Sequence, residues 1–317
     1  MKNNAEMLRK KIWVVKLSVA SNTALVIFKV IVGFAIGSVS VLSEAIHSGI
    51  DLVAALIAWF AVRSAGKPAD KEHRYGHGKF ENVSGFVEAL LIFGAAAWII
   101  YEAAHKLRNP QPIGTIGWGI LVMALSSFVN MAVSSALFRI GNATDSVAIK
   151  ADAWHLRTDV YTSLGVMAGL GLIWFFSFFF HDHDLLWIDP VAAILVALLI
   201  IKAAYDLTVQ SLGDLLDISL PEAEAAEIEK AIKSEPGAIS YKNLRTRKSG
   251  AVKFVDFDLL VDGSVTVDAA HAITDRITEA LEGRLGTVHA TIHIEPCKGA
   301  CPEDCLPACS SPAKKAL

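Results

Sequence analysis

Hydrophobic and polar positions fall into two regimes along the chain. Up to about residue 213, long apolar runs alternate with short charged breaks, and beyond it apolar and polar residues mix as in a soluble domain. A helix needs about 20 mostly apolar residues to cross a bilayer. Six runs meet that length: Trp13–Ile36, Val39–Val62, Val83–His105, Ile113–Phe138, Ser146–Phe180 and Leu186–Gly213. The fourth and sixth are the cleanest. The fifth is long and starts with polar residues, which leaves its true span open. The apolar run after the basic MKNNAEMLRKKIW is too long for a signal-peptide core and reads as the first membrane helix.

The pattern changes after Gly213. LPEAEAAEIEKAIKSEPG has helical periodicity, with Pro221 near its start and Gly237 past its end. ISYKNLRTRKSG and AVKFVDFDLLVDG predict two strands joined at a Ser-Gly turn. TVDAAHAITDRITEALEGRLG predicts a second helix, and TVHATIHIEP a third strand ended by Pro296. The order αββαβ implies a small α+β domain with helices on one face of a sheet, ferredoxin-like in character. Four regions follow: an arm (1–12), a six-helix transmembrane domain (13–213), the αββαβ domain (214–296) and a Cys-rich tail (297–317).

An even number of spans puts both ends of the chain on one side of the bilayer, and Lys/Arg bias selects the side. The arm carries Lys2, Arg9, Lys10 and Lys11; the second connection carries Arg63, Lys67, Lys71, Arg74 and Lys79; the fourth carries Arg139 and Lys150. The opposite side has only Lys106 and Arg108. Both termini are therefore expected in the cytoplasm.

Composition agrees with a membrane protein: 53% of the residues are hydrophobic and the mean hydropathy is +0.46. A net charge of −3 gives no sign of a nucleic-acid partner. All four cysteines lie from Cys297 onward, so no disulfide framework supports the body of the chain.

Ionisable residues inside a bilayer are costly and mark pathways or binding sites. His47 and Asp51 lie four apart in the second span, as do His155 and Asp159 in the fifth. On a helix that spacing puts both side chains on one face. One such pair reads equally well as a hydrogen bond between helices. Two pairs in two spans point instead to a tetrahedral site of two imidazoles and two carboxylates, which suits Zn²⁺. Mg²⁺ and Ca²⁺ want six or more oxygens, whereas Co²⁺, Cd²⁺ and Fe²⁺ stay open. Glu44, a turn before His47, reads as a mouth residue. Asp152 and Arg157 read as residues of other faces near the mouth, without a metal role.

Four further clusters carry candidate chemistry. Asp70, His73 and His77 have ligand spacing in the loop ADKEHRYGHGKFE, where a solvated basic loop is the other reading. In the soluble domain, His289, His293 and Glu295 share one face of the last strand by parity. With Asp258 and His271 they offer a regulatory metal site or, alternatively, a polar sheet edge. Cys297, Cys301, Cys305 and Cys309 have spacing permissive for zinc in a compartment that keeps thiols reduced, or belong to an incidental flexible tail. His181, Asp182, His183 and Asp184 read mainly as a solvated loop on the far side.

The segments HSGID (His47–Asp51), DKEHRYGHGK (Asp70–Lys79) and ADAWHLRTD (Ala151–Asp159), with six spans and an αββαβ domain, resemble the cation diffusion facilitators over roughly residues 8–296. The resemblance implies a homodimeric antiporter in a bacterial inner membrane that exports divalent transition metal against protons. It implies a transport site at His47, Asp51, His155 and Asp159 and a loop site at Asp70, His73 and His77. In the soluble domain His271 and His293 match the family's pattern. Glu295 stands where Asp is frequent, and Asp258 and Lys242 where histidines occur, which points to a single or weaker metal site. Lys79 and Asp217 match a salt bridge that holds the membrane halves of the dimer together. The Cys tail lies outside the pattern. His47 in place of Asp favours zinc over manganese. The chain is not expected to be an enzyme, since no His-Glu-x-x-His is present and no organic cofactor is implied. A metal-gated channel and a membrane-anchored sensor are the remaining alternatives.

Overall fold

The structure is a computed structural model, which describes residues 2–37, 39–109, 118–179 and 187–297. Six long helices come first: α1 (Lys2–Ile36), α2 (Val39–Ala65), α3 (Lys79–Arg108), α4 (Trp118–Ala143), α5 (Val147–Phe179) and α6 (Ile188–Leu215). They are followed by α7 (Glu222–Ser234), β1 (Ser240–Ser249), β2 (Val252–Val261), α8 (Val267–Leu285) and β3 (Val288–Pro296). Among the described residues, five helical stretches are long and apolar enough to cross a membrane: Glu6–Ala35, Ala45–Ala65, Lys79–Arg108, Leu121–Ala143 and Pro190–Leu215. The chain is thus a multi-pass α-helical membrane protein with a small mixed-sheet domain after it.

Several helices outrun the hydropathy boundaries. α1 starts at Lys2, so the predicted arm is helical, and α3 starts at Lys79 rather than Val83. Hydropathy marks where a helix meets lipid, not where its hydrogen bonds begin. The polar first turns survive because they are satisfied internally. Lys11 Nζ reaches Glu81 Oε1 at 2.9 Å, with both side chains nearly buried, and the Ser146 hydroxyl donates to Glu81 Oε2. That network ties α1, α3 and the residue preceding α5.

The chain divides into two compact units, 1–212 and 213–317. In the first, α5 serves two cores. Ala148, Ile149, Ala153 and Leu156 pack with Val14, Val15, Val62 and Leu137, while Val147 and Ala151 pack with Ala89, Ile92, Ile200 and Leu207. A helix enclosed on two sides keeps its polar residues out of lipid. Close approach needs small residues. At Gly85, an added Cβ would sit 2.7 Å from Val147 Cγ1 and 2.8 Å from Ser211 Oγ. Large apolar side chains such as Phe34, Trp98, Phe128 and Leu199 face outward, as lipid contact allows.

In the second unit the strand order is β1-β2-β3, with β1 antiparallel and β3 parallel to the central β2. This is the predicted αββαβ order. A parallel partner needs a crossover, and α8 supplies it. Thr266 caps α8 by accepting from the Ala269 amide, and Gly286 ends it at φ 85°. Strand parity sends Val255, Phe257, Leu259 and Val261 into one core with Ile228, Ile232, Ile273, Ile277 and Leu281. The alternate residues of β2, including Asp256 and Asp258, face the other side.

Candidate metal centre

α2 and α5 bring the two predicted pairs together. His155 Nε2 lies 3.2 Å from Asp51 Oδ1, and His47 Nε2 lies 3.7 Å from Asp159 Oδ1. One donor atom each from His47, Asp51 and Asp159 falls within a 4.8 Å cluster. Asp51 and His155 are buried, Asp159 is partly buried and His47 is exposed, so access is graded across the cluster. Two cavities meet there. One, of about 190 Å³, is polar and lined by Lys29, Ser48, Ser126, Ser127, Asn130 and Asp159. The other, of about 540 Å³, is largely apolar, with Leu90, Leu91, Trp98 and Ile200 in its wall. The protein gives Asp159 Oδ2 and His155 Nδ1 no hydrogen-bond partner although both are buried. Buried polar atoms of that kind call for an ion, a water or a functional role. Two carboxylates offset the charge of a dication, and the three converging donors, with His155 joined to them through Asp51, are of the N/O type that suits a tetrahedral ion. The side chain of Glu44 and residues 181–184 lie outside the described set.

The loop triad also converges. His77 Nε2 is 3.2 Å from Asp70 Oδ2, His73 Nδ1 is 3.6 Å from Asp70 Oδ1, and the two imidazoles stand 4.5 Å apart. Asp70 Oδ1 accepts from the backbone N–H groups of His73 at 2.7 Å and Glu72 at 3.0 Å. The His73 amide, above all, holds the Asp70 carboxyl below the usual aspartate range. Gly76 takes φ 83°, a left-handed turn that aims His77 back at Asp70.

The soluble-domain residues do not converge within one chain. Asp258 and His293 are lateral neighbours on β2 and β3, but Asn243 Nδ2 already donates to Asp258 at 2.6 Å. Lys242 Nζ reaches Glu295 at 2.7 Å, a contact that raises the pKa of Lys242. His271 sits on α8, in the layer on the opposite side of the sheet, with its nearest acid Asp275 at 3.9 Å. His289 stacks on Phe254. Among the described residues, no group of three His, Cys, Asp or Glu donors in this unit meets the 4.8 Å separation seen at the other two clusters. Asp217 takes a left-handed φ of 57° and lies 3.8 Å from Arg247 Nη1. Lys79 opens α3. The Cys297 amide donates to the Val261 carbonyl at 2.8 Å, while Cys301, Cys305 and Cys309 lie outside the described residues.

Asp152 differs from its sequence reading. It is fully buried between helices, with both carboxylate oxygens lacking a hydrogen-bond partner, and Glu88 of α3 and Ser18 of α1 are its neighbours. Arg157 donates to Ser134 at 3.1 Å and Ser135 at 3.2 Å on α4, in line with a structural role. Lys29 and Glu88 stand as charges inside apolar runs of the sequence, whereas Glu81 falls just before one. Their neighbours on other helices are not legible there.

An intramembrane cluster of imidazoles and carboxylates, in a helical domain joined to a compact α+β domain, defines a polytopic metal-handling membrane protein. Residues 15–216 match the cation efflux transmembrane domain, and residues 220–297 match the cation efflux protein cytoplasmic domain. The chain belongs to the cation efflux, or cation diffusion facilitator, family. It is 34% identical to an uncharacterised transporter, sll1263, of Synechocystis sp., over 82% of each chain. It is 30% identical to the cation-efflux pump FieF of Shewanella oneidensis, over 89% of this chain and 92% of that one. A solved structure of a candidate zinc transporter, CzrB, is 32% identical over 25% of this chain and 99% of its own, with a TM-score of 0.24. The family is one of transporters, and the activity is efflux of divalent metal cations.

Proposed function

We propose that the chain is a secondary active transporter that moves Zn²⁺ out of the cytoplasm in exchange for protons by alternating access, as a homodimer with both termini cytoplasmic. The observation that carries this reading is the meeting of His47, Asp51, His155 and Asp159 at the junction of two cavities. Ligands must be deprotonated to take a metal, so binding releases protons. Imidazoles as a class titrate near neutrality, which lets protons compete for the site on the opposite side of the membrane.

Asp70, His73 and His77 form a second metal position in the loop. Asp258, His271, His293 and Glu295 lie on two layers of one chain, so a metal at this domain draws ligands from both protomers. Filling it would favour one arrangement of the dimer by differential affinity. Lys79 and Asp217 pair to hold the dimer, and the tail thiols, Cys297 to Cys309, add a metal-buffering segment. Fe²⁺, Co²⁺ and Cd²⁺ suit the same donors and are the competing cargoes.

Reconstitution of the full chain into sealed vesicles tests the reading. Zinc uptake should alkalise the lumen as protons leave in exchange, and Asp159→Ala should abolish both while the dimer still forms. Transport retained by Asp159→Ala would overturn the assignment. A panel of divalent ions ranks the cargo.

A further inference from the structure

We propose that Lys29 is a resident counter-cation of the transport site: its ammonium and the metal ion alternate as the charge partner of Asp159 and Asp51. The inference rests on the transport-site reading above. Lys29 lies toward the C-terminal end of α1, only 3% exposed, and its Nζ donates to Ser48 Oγ at 2.8 Å. Ser48 follows the ligand His47 directly and sits on the face of α2 that precedes Asp51. Lys29, Ser48, His47, Asp51 and Asp159 line one cavity of about 190 Å³. Across it, Asp159 Oδ2 is buried without a hydrogen-bond partner.

A lysine buried in a membrane helix is retained where it meets opposite charge or a polar cavity. Two carboxylates that lose their dication are likewise costly where they are enclosed by the helices. The ammonium answers both costs. Held by Ser48, it leaves the ligands open to the metal. When the metal leaves, the four-carbon stem carries Nζ toward Asp159 and Asp51. The step moves a charged group and breaks no covalent bond. Lys29 is therefore a positioning residue that weakens metal binding in favour of release, and Ser48 is its rest.

The test compares zinc affinity and proton release for full-length wild type, Lys29→Met, Lys29→Arg and Ser48→Ala in detergent micelles, with turnover in vesicles. Lys29→Met loses the internal competitor, so zinc should bind roughly tenfold more tightly. More protons should be released per zinc, and turnover should fall with KM. Lys29→Arg should restore the wild-type affinity. Ser48→Ala removes one bond that holds the ammonium back and should weaken zinc binding, the opposite sign. A merely structural lysine predicts weaker binding in Lys29→Met and no rescue by arginine. Unchanged or weaker zinc binding in Lys29→Met overturns the proposal. If that variant fails to assemble, tighter or unchanged binding in Ser48→Ala does so. His155→Ala runs alongside: if it binds zinc like wild type, the transport-site reading itself fails. If it loses zinc while Lys29→Met is unchanged, only the role of Lys29 falls.

Discussion

His155 Nε2 and Asp51 Oδ1 stand 3.2 Å apart across 104 residues of chain, and both side chains are almost wholly enclosed. The contact joins a nitrogen of α5 to an oxygen of α2 at the most protected end of the cluster.

Asp51→Asn keeps the shape of that contact and removes its charge. A dication then faces one carboxylate instead of two. Zinc affinity should drop by at least about a hundredfold, beyond the 10–100-fold usual for groups that only orient a ligand. Equilibrium titration of the purified chain measures it, and a loss under tenfold would remove Asp51 from the ligand set.

The Lys11–Glu81 pair is a buried ion pair that also receives the Ser146 hydroxyl. Removing one partner strands the other's charge, at a cost of about 3–5 kcal/mol. Glu81→Gln should therefore lower the unfolding midpoint in micelles. The double variant Lys11→Met with Glu81→Leu should recover part of the loss, because it strands no charge and only the Ser146 hydroxyl loses its acceptor.

Gly85→Ala drives a methyl into Val147 and Ser211 on two different elements. Overpacking of this kind costs about 1–3 kcal/mol. Thermal unfolding of the purified variant should show the drop, and Gly94→Ala, where an added Cβ meets nothing within 4 Å, is the control.

Asp70 carries a pH prediction. Its carboxyl is held down chiefly by the His73 amide, so its folded pKa lies below the ordinary value of about 3.9. A depressed carboxyl contributes at pH above its unfolded pKa, and the contribution goes as pH falls through the lower folded value. The loop turn that this carboxylate anchors should thus persist through mild acid. Carbon-13 resonances of labelled aspartate, assigned by Asp70→Asn, give the midpoint; a value at or above the ordinary one contradicts this.

Periodicity and hydropathy were enough to read the six long helices, the αββαβ order and the face shared by His47 and Asp51, because each of these follows from the spacing of neighbours in sequence. What escaped involves partners brought in by packing. Asp152 looked like a mouth residue since its own helix neighbours are polar, yet α1 and α3 close over it. His271 shares a residue type with His293 but not a layer, and strand parity alone does not reveal which face a helix covers. The start of α3 at Lys79 was hidden for a similar reason: Glu81 is polar in sequence, and its partners Lys11 and Ser146 lie 70 residues earlier and 65 residues later.

Each half of the proposed transport site is one face of one helix, His47 with Asp51 on α2 and His155 with Asp159 on α5, with no loop inside either pair. The distance between the axes of α2 and α5 therefore acts as the jaw width of a calliper. Zinc–nitrogen bonds of about 2.0–2.1 Å and the longer bonds of about 2.3–2.6 Å around calcium demand different openings. Discrimination among ions can then be retuned by side-chain volume at the seam between the two helices, through residues that never touch the cargo.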